Sequence, residues 1–192
     1  MSYSYIEGKP REHFSNLEED FKIIEAYMGY LPNSNLLMAI NPQLNETFSL
    51  LAQTIFSSKY IATDMINLIA LASSISSGCK YCQAHTSHGA SRASVNSKKI
   101  IEILKYKESN AYSDEERAVL DLAFSAGTSP NTSSKEHFKE LEKYFSKEAI
   151  IDIVSVIALF GFLNRWNDTL GTELEDLPKQ FIEQELKPLG WS

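Results

Sequence analysis

The chain has 192 residues, 43% of them hydrophobic, and a formal net charge of −7. That length holds one domain or a tightly joined pair, with enough apolar side chains for a real core. The acidic balance argues against nucleic acid as a partner, because phosphate binding needs a basic surface.

The first residues, MSYSYIEGKPREHF, contain no apolar run of the kind a secretory leader carries. The longest uncharged stretches, 65–79 and 153–164, fall short of the ~20 apolar residues that a membrane helix requires. A soluble, cytoplasmic protein with no membrane partner is expected. In that reducing compartment a lone cysteine pair is seldom a structural staple and more often a redox pair or half of a metal site.

The pattern along the chain is helical. Residues 17–28 place Leu17, Phe21, Ile24 and Met28 at helical spacing. Asn33 is suited to cap a short helix ending before Pro42, and Pro42 suits the first turn of the next, with Asn41 as its cap. Thr63 or Asp64 is expected to cap DMINLIALASSI, which is apolar nearly all round and so belongs inside. Gly78 breaks that helix and a new one starts at Cys79. In the second half, Ser113 with Glu116 and Ser133 with Glu136 read as capping boxes, and Gly127 as the stop of the first of these helices. Ser146 opens the longest helix, Gly171 closes it, and Pro178 opens the last. Residues 127–134, rich in Ser, Thr and Pro, read as a loop. The expectation is an all-α fold of about eight or nine helices, one domain over residues 1–192, with an N-terminal arm (1–16) that folds onto a neighbouring subunit.

Residues 76–90, SSGCKYCQAHTSHGA, hold both cysteines and two of the four histidines. Zinc is one reading, since Cys79, Cys82, His85 and His88 recur every third residue. On a continuous helix those nine residues rise by ~13.5 Å, whereas ligands sit ~2.0–2.3 Å from zinc. Buried thiols of purely structural role are a second reading. Redox chemistry is the third. A thiol reacts as its thiolate, which the N–H groups of a helix N-terminus stabilise, so Cys79 is favoured as the more acidic thiol. Cys82 lies one turn on, and His85 shares its helix face, where an imidazole can take its proton. His88 is further away and reads as outer support.

The same stretch resembles the active-site helix of the alkylhydroperoxidase D and carboxymuconolactone decarboxylase family. IALFGFLNRWNDTLGTELE, residues 157–175, is similar to the tail of that family's peroxidase-related branch, so the likeness covers about residues 35–176. The resemblance implies an all-α, alkylhydroperoxidase D-like fold that assembles into homo-trimers, hexamers or dimers. It implies thiol-dependent reduction of organic or hydrogen peroxides with an unidentified dithiol electron donor, and no metal or organic cofactor. By motif it makes Cys82 the attacking thiol and Cys79 the resolving one. The Cys-x-x-Cys pair, which the decarboxylase side lacks, favours thiol chemistry.

The chain departs from the family pattern twice. Twelve residues before the first cysteine the family's peroxidases carry a glutamate; here Asn67 stands there and cannot relay a proton. Asp64, one turn earlier, is a candidate substitute that reads better as a cap. The family's histidine falls four residues after the second cysteine, where this chain has Thr86, preceded by His85. A scaffold with weak or lost activity is therefore the alternative to a working peroxidase. Arg165 and Asp168 of NRWND read as an i, i+3 pair, with Arg165 a candidate to favour a thiolate.

Overall fold

The structure, a computed structural model, describes residues 3–187. It contains ten α-helices: α1 (Glu18–Met28), α2 (Asn33–Met38), α3 (Pro42–Phe56), α4 (Thr63–Ser77), α5 (Lys80–Arg92), α6 (Ser97–Ile101), α7 (Asp114–Gly127), α8 (Lys135–Leu141), α9 (Lys147–Leu170) and α10 (Asp176–Phe181). A 3₁₀ segment, Arg11–Leu17, precedes α1, and a π-helical turn, Ile182–Leu186, extends α10. The all-α expectation holds.

The helix that is apolar all round, α4, becomes the centre. It packs against α5, α7 and α9, and Leu68, Ile69, Leu71 and Ala72 have no accessible surface left. α7 contributes Val119, Leu120 and Ala123, and α9 contributes Ile153 and Val156. α9 is, among the described residues, the one helix long and apolar enough to cross a membrane, but 44% of its most apolar window is buried inside the protein. Its buried face, with Ile153, Val156 and Phe160, lies along α4.

Several local expectations meet the structure directly. Asn41 caps α3 by accepting the Leu44 N–H, Ser113 and Glu116 form a full capping box, and Ser146 caps α9. Gly78 and Gly171 end α4 and α9 in the left-handed conformation, φ +82° and +59°, where a side chain would be strained. Others shift. The cap of α4 is Ala62, without a side-chain bond, and Thr63 and Asp64 fall inside its first turn. α8 takes its box from Ser134 and His137, one residue beyond Ser133 and Glu136. α10 begins at Asp176, with Pro178 inside its first turn. Asn33 does not cap α2; its backbone N–H and side chain reach Glu175 and Glu173 instead.

Gly127 does not act as the expected left-handed stop. It is the last residue of α7, and a Cβ there would stand 2.9 Å from the Ser73 carbonyl oxygen on α4. The glycine is a packing notch between two core helices. Gly127→Ala is expected to destabilise the fold by about 1–3 kcal/mol, as overpacking does, visible as a lower urea midpoint with an unchanged slope.

The N-terminal arm lies on its own chain. The Tyr5 N–H donates to the Leu170 carbonyl at 2.8 Å, and the Glu173 N–H donates to the Tyr3 carbonyl at 2.7 Å. Phe14, Leu17, Phe21, Leu36 and Ala39 form a small second core beneath it. Arg11 forks onto Glu18 and Glu25, at 2.8 and 2.5 Å. The arm thereby ties the end of α9 and the start of the C-terminal segment to α1 and α2, the elements that wall the site.

Candidate active site

Gly78 reverses the chain between α4 and α5, and the reversal places the cysteines. Cys79 is extended (φ −71°, ψ 105°) and is the N-cap of α5; its Sγ accepts the Cys82 N–H at 3.4 Å. A sulfur here takes the place of the oxygen of a usual capping residue. Both are free thiols, 0% and 3% exposed. The hydrogen bond shared with Cys79, then burial, push the Cys82 thiol well up, while the Asn167 amide, whose Nδ2–H donates to Cys82 Sγ at 3.5 Å, works the other way. The sign gives a test. Alkylation of Cys82 by iodoacetamide, followed by peptide mapping, is expected to rise about tenfold per pH unit from pH 7 to 9. A rate already flat at pH 7 contradicts it.

Cys82 faces a cavity of about 670 Å³. Tyr27, Phe48 and Phe56, from α1 and α3, line it together with Leu159, Phe160 and Leu163 of α9. Tyr27 and Phe56 lie 5.8 Å apart between centroids, and Phe56 meets Phe160 edge-on at 6.4 Å. The volume is within the ordinary range for a small-molecule site. A second hollow of about 460 Å³, bordered by Glu173 and Lys179, contains no thiol or imidazole.

Asn67 is buried on the cavity wall and donates to the Thr63 carbonyl at 2.8 Å. Asp64 is exposed and bonds its neighbour's N–H, away from the cavity. Thr86 closes a local bond onto the Cys82 carbonyl at 2.7 Å.

His85 lines the cavity, but both its ring nitrogens are engaged elsewhere. Nε2 meets Glu175 Oε2 at 2.5 Å and Nδ1 meets the Tyr30 hydroxyl at 3.0 Å. A carboxylate only accepts, so Nε2 carries the hydrogen. Tyr81 stacks on the ring at 4.1 Å and donates its hydroxyl to Glu175 Oε1 at 2.8 Å. Burial first, then the Glu175 charge, push both the Tyr30 and Tyr81 hydroxyls well up, so they stay protonated. Burial works to raise the Glu175 carboxyl too, but the bond and charge of His85 and the Asn33 N–H outweigh it and hold it below the usual range. His88 lies beyond, its ring 5.8 Å from Tyr30 and 5.5 Å from Phe181; burial, Arg92 and His85 hold its imidazole below the ordinary range. Among the described residues no group of three or more His, Cys, Asp or Glu is placed to hold a metal ion.

The structure thus brings Cys79, Cys82, His85 and Asn67 together and leaves Asp64 outside. Arg165 and Asp168 sit on the exposed side of α9, and the buried members of NRWND are Asn164 and Asn167. Arg165 does not line the thiol cavity of this chain. Tyr30 had no sequence signal, and Asn167 and Glu175 fell inside the 157–175 stretch without a role assigned to either.

Comparison with known proteins places this geometry. The family model described as the carboxymuconolactone decarboxylase family matches residues 42–124. The debrominase Bmp8, whose C82A variant is known in complex with 2,3,4-tribromopyrrole, is 38% identical, with a TM-score of 0.89 over 96% of this chain and 97% of that one. Its apo structure is 40% identical, with a TM-score of 0.87 over 92% and 95%. An uncharacterized peroxidase-related protein from Ralstonia eutropha JMP134, an alkylhydroperoxidase AhpD core, has a TM-score of 0.78 at 21% identity, covering 95% of this chain and 96% of that one, and so shares the fold. The uncharacterized protein YnjA of Escherichia coli (strain K12) is 26% identical over 102 residues; the match spans 53% of each chain, about half the length of that curated relative.

Proposed function

The chain belongs to the carboxymuconolactone decarboxylase family, and we infer that within it this protein is a dithiol-dependent reductase that removes halogen from small halogenated aromatic compounds. The observation that carries the reading is Cys82 at the wall of an aromatic-lined cavity with Cys79 bonded behind it. Such a hollow suits a flat apolar ring better than a small polar oxidant. Likeness to a debrominase across nearly the whole chain supports the same choice.

The chemistry balances on the two thiols. The ring carbon takes a proton, Cys82 sulfur attacks the halogen, and the carbon–halogen bond breaks as the sulfur–halogen bond forms. Cys79 sulfur then attacks Cys82 sulfur and displaces halide. In sum, Ar–X and two thiols give Ar–H, HX and one disulfide. The substrate gains two electrons and the cysteine pair loses them. An external dithiol reduces the disulfide and restores the pair.

Peroxide reduction is the second reading. It is favoured by the Cys-x-x-Cys pair, which turns ROOH and two thiols into ROH, water and a disulfide. Asn67, in place of the family's glutamate, weakens it, because no carboxylate on α4 can deliver the proton to the leaving oxygen.

The test offers the purified chain, with dithiothreitol, a brominated pyrrole and cumene hydroperoxide in parallel. The expected result is bromide release over many turnovers and, without reductant, loss of both free thiols per chain for one bromide. Peroxide consumption with no bromide overturns the first reading in favour of the second. Consumption of neither means a scaffold without activity.

A further inference from the structure

The cavity in front of Cys82 is built from helices that bring no cation to it. α2, α3 and α4 all contribute to its wall, and none of the three contains a Lys or Arg. Among the described residues, the charged side chains on its lining besides the His85 imidazole are two carboxylates. They are Asp20 of α1, partly buried, and Glu46 of α3, exposed. The cations that reach α1 are spent elsewhere. Arg11 forks onto Glu18 and Glu25, Lys22 pairs with Glu19, and Arg92 donates to the Tyr27 and Ala26 carbonyls. Three polar side chains of α5 on the lining are engaged within the protein. His85 commits both ring nitrogens to Glu175 and Tyr30, Tyr81 donates its hydroxyl to Glu175, and Thr86 donates its own to the Cys82 carbonyl. An anion entering such a space gives up its water and gains no counter-charge, which is costly. Two carboxylates on one cleft also repel it from outside, because a cleft with low-dielectric walls focuses their field.

We propose that this cavity selects its substrate by charge: it takes halogenated aromatic rings that carry no ionised group and turns away aromatic acids and other ring anions, with Asp20 and Glu46 as the specificity-determining residues. Size does not make this distinction, because a carboxylate and a carboxamide on the same ring occupy nearly the same space. What separates them is the missing counter-charge inside and the two carboxylates on the lining. The inference rests on the dehalogenation reading above for the reaction, but the selection is a property of binding and is measured apart from turnover.

The test measures bromide release, with dithiothreitol, from a bromopyrrole carboxamide and the matching bromopyrrole carboxylate. The parent is expected to prefer the amide by about 100-fold or more in kcat/KM, the scale of a juxtaposed like charge. The double variant Asp20→Asn, Glu46→Lys replaces two repelling charges by one attracting charge. In it the amide-to-acid ratio is expected to narrow by at least about tenfold. Added salt is expected to narrow the parent's ratio too, because it screens exposed charges. Binding is read separately with the halogen-free pyrrole carboxamide and pyrrole carboxylate, as protection of Cys82 in the parent against iodoacetamide. The amide is expected to protect at about 100-fold lower concentration than the acid. Acid and amide handled alike by the parent, in turnover or in protection, overturn the proposal, and so does protection by neither. A preference that the double variant keeps in full also overturns it, because the two carboxylates are then not its cause. Bromide release from neither ring, with the amide protecting and the acid not, removes the dehalogenation reading and supports the charge selection.

Discussion

Cys79→Ser is expected to leave the fold intact while lowering steady-state bromide release at least ~100-fold, whereas Cys82→Ser abolishes it, a loss of more than about 10³-fold. The two differ because the residues stand at different points of one local geometry. Cys79 caps α5, with its sulfur on the Cys82 N–H. Serine is among the preferred N-cap residues, so Cys79→Ser keeps or slightly improves the helix start. What disappears is the second sulfur. The first step then proceeds once per chain and halts at the sulfur–halogen stage, because the chain holds no second thiol beside Cys82 to displace the halide. Cys79→Ser also removes the largest influence raising the Cys82 thiol. Iodoacetamide should therefore modify Cys82 faster at pH 7 in this variant than in the parent, even as turnover collapses. Rapid-quench measurement of bromide gives the burst, and thiol alkylation gives the nucleophile. A Cys79→Ser chain with normal steady-state turnover refutes the resolving role.

What could be read from the sequence divides along the range of the interaction concerned. The break at Gly78, the Ser113–Glu116 box, Asn41 before Pro42 and the Ser146 and Gly171 bounds of α9 are all local, decided within four or five residues by backbone geometry and capping chemistry. The reading failed where two chemistries competed at neighbouring positions. Ser133 and Ser134 are equally good caps, and His137 rather than Glu136 completes the box, its Nδ1 accepting the Ser134 N–H. Asn33 looked like a cap, but Glu175, 142 residues away, draws its N–H instead. The same limit applied at the site. Cys79, Cys82 and His85 stood out because they are contiguous, whereas Tyr30 and Glu175 reach His85 from segments 55 and 90 residues distant. NRWND attracted attention to its charges. On an amphipathic helix the charged members face water and the amides turn inward, so Asn167 and not Arg165 meets the sulfur. A helical-wheel count on α9 starting from Ile153 and Val156 assigns Asn164 and Asn167 to the buried side, and was the one signal available.

Glu175→Ala is expected to destabilise the protein by about 3 kcal/mol, the scale of removing one member of a buried pair, which lowers the thermal midpoint by roughly 6–12 °C in a chain of this size. The carboxylate is 13% exposed and gathers three elements: His85 and Tyr81 on α5, the Asn33 N–H that opens α2, and its own position at the start of α10. Removing it strands the His85 Nε2–H, the Tyr81 hydroxyl and the Asn33 N–H together. Glu175→Gln separates charge from shape, since an amide oxygen still accepts from Tyr81 and Asn33. The pH dependence has a definite sign. The folded carboxyl is held below its ordinary value of 4.5, so its contribution to stability is complete above about pH 5 and is lost as pH falls through the lowered folded value. Parent protein should therefore lose stability on acidification below pH 5 more steeply than Glu175→Gln, and the two urea midpoints should approach each other towards pH 3. At pH 7 the order is parent above Gln above Ala. If Glu175→Gln instead shows the steeper acid limb, the carboxylate is not the group that binds the C-terminal segment to the thiol site, and the Tyr30–His85–Glu175–Tyr81 chain is a consequence of packing rather than a cause of it.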